Sequence, residues 1–115
     1  MRRLLVALLL PLPALALSPE AKEFMAITAR LEPVQCEKRQ LRRQMAMAHA
    51  EQRDADLKKL RARFAAIDGD RETTRLQQRL AELHGRILEG KGGARDHQDL
   101  EAISLQQREA FYRCE

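Results

Sequence analysis

The fold is decided by LKKLRARFAAIDGDRETTRLQQRLAELHGRI, residues 57–87. Its first half sets Leu57, Leu60, Phe64 and Ile67 three or four residues apart. Its second half repeats the device with Leu76, Leu80, Leu83 and Ile87. That spacing is the apolar face of an α-helix, written twice. Between the halves stands Asp68-Gly69-Asp70, a turn signal. Asp70 is a good N-cap for the second helix, and Glu72 suits its first turn. A three-residue turn (68–70) between two amphipathic helices predicts an antiparallel hairpin. Facing residues would then sum to about 138, setting Leu60 opposite Leu76 and Leu80.

Toward the N-terminus, Ser18 and Pro19 open a helix as N-cap and first residue. Phe24, Ile27 and Leu31 are its apolar residues, with Met25 beside them. Pro33 lacks an N–H and disfavours helix at the residue before it, so this helix should end or kink near Leu31. The next helix should run from about Pro33 to Ile67, roughly 50 Å. Val34, Leu41, Met45 and Ala48 form its first stripe; Ala46, Ala50 and Ala55 permit close approach of a neighbour. Toward the C-terminus, Gly90, Gly92 and Gly93 break the chain over 90–95. A last helix then starts near Asp96, with Asp99 in its first turn, and turns Leu100, Ile103, Ala110 and Phe111 inward.

The first 16 residues have another character. Arg2 and Arg3 precede the apolar run Leu4–Leu10, and Ala14 and Ala16 are small residues suited to a cleavage site. This is the layout of a secretory signal, 1–16, cleaved after Ala16. A membrane anchor is expected only if the leader stays uncleaved; it falls short of the roughly 20 apolar residues that span a bilayer. Residues 17–115 would form one domain. The whole chain has 115 residues and a formal charge of +4, which falls to +2 once Arg2 and Arg3 are removed. Fourteen alanines, no Trp, one Tyr and three Phe leave few large apolar side chains in the body. A large enzyme with a dry, walled pocket is disfavoured on that ground.

Cys36 and Cys114 make an even pair in an exported chain, so one disulfide is expected. Their positions bear on the last helix. If it continues in the direction of the helix before it, Cys114 arrives beside Cys36. If it folds back toward the tip, Cys114 ends near Ile67, about 45 Å of helix from Cys36. The long form is therefore expected: an elongated, all-α, antiparallel hairpin of three to four helices, pinned at its open end.

Motifs for chemistry are thin. The run from Gly85 to Lys91 fits GxxxxGK, but Gly92 replaces the Ser or Thr that a phosphate loop needs. His49, His84 and His97 have no i,i+4 partner, so no metal site is assigned. Ser18 and Ser104 belong to no nucleophilic set. No catalytic residue and no cofactor is expected. Lys38, Arg39, Arg42 and Arg43 are the one concentrated charge, with no acid between Glu37 and Glu51. They are the candidate face for an anionic partner, either an envelope component or an acidic protein surface. Nucleic acid is disfavoured by the low net charge and the lack of stacking residues. Met25, Met47, Leu88, Leu105 and Tyr112 fit no single seam and are candidates for a binding or self-association patch.

Two resemblances rest on particular strings. Cys36-Glu37-Lys38-Arg39-Gln40, then Gln44, Ala48-His49-Ala50-Glu51, Leu60 and Ile67, resemble the opening of the YqjC-like family of small periplasmic helical proteins. Gly69-Asp70 and Gln78-Arg79-Leu80-Ala81-Glu82-Leu83 resemble a later stretch of it. The ending from Gln106 to Cys114 is similar to the last helix of LprI-type lysozyme-inhibitor domains, without their Trp. Both imply small exported helical binding proteins. The expected function is a periplasmic or secreted, non-enzymatic helical protein that binds another protein or the envelope. The alternatives are a small stress- or metal-responsive periplasmic chaperone and a lysozyme-inhibitor-like binder.

Overall fold

A computed structural model describes residues 17–89 and 94–114. The expected leader, 1–16, lies outside the described residues, as do 90–93 of the expected break; 94 and 95 are already helical. Four helices follow in order: α1 (Pro19–Ala50), α2 (Asp54–Asp68), α3 (Arg71–Leu88) and α4 (Ala94–Arg113). No strand occurs among the described residues.

α1 opens as its sequence dictates. Pro19 stands at its start, and the Ser18 hydroxyl accepts the Ala21 N–H. It does not end at Leu31: Pro33 lies inside it, exposed on the outer surface. One lost backbone bond is outweighed because α1 is packed on both sides of that point. Leu31 is buried below it, and Lys38 and Leu41 are buried beyond it.

The reversal of the chain lies at Glu51–Arg53, where no turn signal stands. Arg53 N–H bonds the Ala48 carbonyl at 2.8 Å, and Gln52 N–H bonds that of His49 at 3.2 Å. These are the paired bonds of a Schellman helix end. Gln52 takes the left-handed position, φ 55°, that usually falls to glycine. The expected unbroken helix from Pro33 to Ile67 is thus two antiparallel helices.

Ion pairs give the register. Glu37 meets Arg63, Lys38 meets Asp68, Arg30 meets Glu72, and Glu23 meets Arg79, each pair summing to 100–106. α2 and α3 therefore form one returning arm against α1. Asp68–Asp70 interrupts that arm, as a break should, but does not reverse it. Gly69 has a right-handed φ of −85°, and Asp70 caps α3 by accepting the Thr73 N–H at 3.0 Å. That bond holds the Asp70 carboxyl below the usual range. Leu60 consequently does not face Leu76 and Leu80; both arms face α1.

α4 turns back and runs parallel to α1. Ser18 bonds Asp99, the Met25 carbonyl accepts from Gln106, and Glu32 meets Arg113, all at a separation of 81. The expected continuation of α3's direction is overturned, yet Cys36 and Cys114 are bonded, Cα to Cα 5.5 Å. The 45 Å objection assumed a chain reversal at 68–70. With the reversal at 51–53, α2 brings Ile67 back to the level of Lys38, so a folded-back α4 ends beside Cys36. The elongated, disulfide-pinned antiparallel hairpin stands, with a different path through it and with the bridge at the middle of α1 rather than at the open end.

The largest side chains gather where three helices meet. Phe24, Ile27 and Leu31 of α1, Leu83 and Ile87 of α3, and Ile103 of α4 form one cluster, with Leu83 wholly buried. Inward placement of Leu100 and Phe111 is corrected: they are 40% and 54% exposed. Asp99 and Ile103 are the buried residues of α4.

Candidate functional site

The four residues of the basic run sit at the level of the disulfide but do not form one free face. Lys38 is buried; its ammonium meets Asp68 at 2.6 Å and lies 5.0 Å from the Phe64 ring. Arg42, one turn on, lies 5.5 Å from the same ring. These two hold α2 against α1. Arg39 points to the other seam. Its guanidinium stacks 4.2 Å from the Phe111 ring and donates to the Phe111 carbonyl at 3.3 Å. Arg43, one turn beyond Arg39, is exposed. Helical spacing thus splits the run into two i,i+4 pairs, one structural and one outward.

Around Arg39 the surface is built from α1 and α4. Phe111 and Tyr112 meet edge to face, 5.6 Å between centroids, with Tyr112 79% exposed. Arg113 grips Glu32 through two bonds, 2.8 and 3.1 Å. Those bonds hold the Glu32 carboxyl below its ordinary range. The disulfide ties the end of α4 to the middle of α1. Beside it lies an open cleft of about 420 Å³, lined by Thr28, Leu31, Gln35, Arg39, Leu80 and Phe111 among others. The Thr28 hydroxyl is buried there without a hydrogen-bond partner among the described residues.

Other expected groups are dispersed. Of the apolar candidates, Met25 packs on the core, while Met47 of α1, Leu88 of α3 and Leu105 and Tyr112 of α4 are exposed. His84 lies against Phe24, 6.3 Å between centroids, near the start of α1, whereas His49 stands at its far end. The two do not share a level. Among the described residues no cluster of three or more His, Cys, Asp and Glu could hold a metal ion. No described helix is long and apolar enough to cross a membrane.

The Arg39–Phe111 contact was not legible in the sequence, because the two lie 72 residues apart and no local signal joins them. The exposure of Phe111 had a faint signal: Phe111 and Tyr112 are adjacent, and a helix cannot bury both on one narrow stripe. No family model, curated protein or solved structure matches this chain.

Proposed function

We propose that this is an exported, non-enzymatic helical protein that binds another protein through the surface beside its disulfide, at the middle of α1. The observation that carries the reading is the outward group at that place: Arg39 stacked on Phe111, with Tyr112 79% exposed beside it. Aromatic and arginine side chains are the residue types that dominate binding energy at protein interfaces. These are held by a covalent bridge and by the Glu32–Arg113 pair, so little ordering entropy remains to oppose association. Arg39 and Arg43 give the surface a positive rim, which favours an acidic partner.

Export is supported by the leader layout and by a disulfide compatible with an oxidising compartment. The likeness to small periplasmic helical binders points the same way.

The test is photo-crosslinking in living cells, with a benzophenone side chain at Tyr112 and a control at Lys58. A discrete protein adduct from position 112, lost in Arg39→Glu/Arg43→Glu, is the expected result. Adducts of equal yield from both positions would overturn it. Lipid or lipopolysaccharide adducts from position 112 would replace the protein partner with an envelope component.

A further inference from the structure

Asp99 is the one buried acid of the described chain, 2% exposed, and it belongs to α4 while serving α1. Its Oδ1 accepts the Ser18 backbone N–H at 3.0 Å, and its Oδ2 accepts the Ser18 hydroxyl at 2.6 Å. The same hydroxyl oxygen accepts the Ala21 N–H at 3.1 Å. Both donors of Ser18 are thereby used. A carboxylate has about four acceptor positions, so Asp99 keeps room for further donors. No basic side chain among the described residues is ion-paired with it. The N-terminal dipole of α1 supplies partial compensation only. A buried carboxylate calls for a full counter-ion.

The nearest place for one is set by the backbone. The carboxylate holds Ser18 N, and the nitrogen of Leu17 is the next one along the backbone, about 3.5 Å from it in an extended chain. In the precursor that nitrogen is a neutral amide. After hydrolysis of the Ala16–Leu17 bond it is a primary amine, protonated at neutral pH.

We propose that Ser18 and Asp99 form a built site for the α-ammonium of Leu17, so that removal of the leader creates the counter-ion of Asp99 and locks α4 onto the start of α1. The ligand class is a primary ammonium tethered one residue before Ser18. A cut one residue away would misplace it by about 3.5 Å. The inference rests on reading residues 1–16 as a cleaved leader, and the experiment separates the two.

Protein recovered after export is first weighed intact. An uncut chain removes the leader reading and this proposal with it; a cut at another bond removes the proposal alone. With Leu17 first, the α-amine is acetylated selectively at mildly acidic pH and the melting temperatures are compared. The capped protein should melt several degrees lower. The difference should vanish in Asp99→Asn and persist in Glu20→Gln, which removes the other acid at the start of α1. Equal melting of capped and free wild-type protein overturns the proposal, as does an equal loss in Asp99→Asn. Should Asp99→Asn fail to fold, wild-type protein alone decides. At pH 7 its α-amine should be acetylated at least about tenfold more slowly than that of the free peptide Leu-Ser-Pro-Glu. An equal rate overturns the proposal.

Discussion

The two ends of α1 are stabilised by different means. Its N-terminal half meets α3 and α4, and three helices can surround large side chains: Phe24, Ile27, Leu31, Leu83, Ile87 and Ile103 are buried there. Its C-terminal half packs chiefly on α2, with the end of α4 reaching its start at Cys36 and Arg39. Two helices leave no enclosed interior, and what is buried is Leu41, Ala48 and Leu57 on a narrow seam, with Ile67 where α2 ends. Ala46, Ala50 and Ala55 stay exposed. The two-helix arm is held instead by the Lys38–Asp68 pair and by two cations over Phe64. The same helix thus passes from a region governed by apolar burial to one governed by charge and aromatic contact. The proposed binding surface lies at the boundary between them, where the disulfide stands.

The strongest challenge to this contrast is reduction of Cys36–Cys114. The bridge closes 78 residues, and loop-closure entropy for that length is about 4.5 kcal/mol. Cys36→Ser/Cys114→Ser should lose stability of that order in urea titration. Hydrogen exchange should quicken first in α4 and leave the α1–α2 arm little changed. Uniform quickening would mean that the two regions unfold as one.

Core truncation sharpens the contrast. Leu83→Ala empties a fully buried site between three helices and should cost about 3 kcal/mol. Leu57→Ala, at the edge of the two-helix arm, can relax into solvent and should cost about half that. Equal losses would contradict the difference in burial.

Acid should act on the three-helix region first. Glu23 is held below its ordinary range by hydrogen bonds from Arg79, and Glu32 by those from Arg113. A depressed carboxylate contributes stability above the unfolded pKa of about 4.3, and loses it as pH falls through the folded value. Melting below pH 4 should therefore start with loss of α3 and α4 contacts to α1. Arg79→Gln should flatten the profile, measured by circular dichroism against pH.

The smallest effect belongs to the tip. Gln52 occupies a left-handed position, so Gln52→Gly should stabilise by about 0.5–1 kcal/mol. A loss on that substitution would mean that the Gln52 side chain contributes more than its backbone costs.

Much of this was legible in the residues. The apolar spacing of α3, the Asp70 and Ser18 caps and the cysteine pair each rest on local rules. The path of the chain was not. Asp68-Gly69-Asp70 carries every mark of a reversal and only interrupts an arm, whereas Glu51-Gln52-Arg53 carries none and reverses the chain. Pro33 carries the mark of a helix end and sits inside a helix. In each case a cost of a kcal/mol or a few is outweighed by packing with residues far away in sequence. For the candidate site the split follows the same line. The basic run was visible as composition, but its division into Lys38–Arg42 and Arg39–Arg43 needed to know which helix lies on each side.

What the sequence determined alone was the class of structure: apolar residues at helical spacing and capping residues fix helices, and a chain with two cysteines offers one bridge. Which helix lies beside which was decided only in three dimensions. Local rules fix whether a segment is helical, but its neighbours are chosen by the sum of many contacts. Here the sum favours enclosing Leu83 and Ile103 among three helices, and it carries a strained Gln52 and an interior Pro33 in doing so.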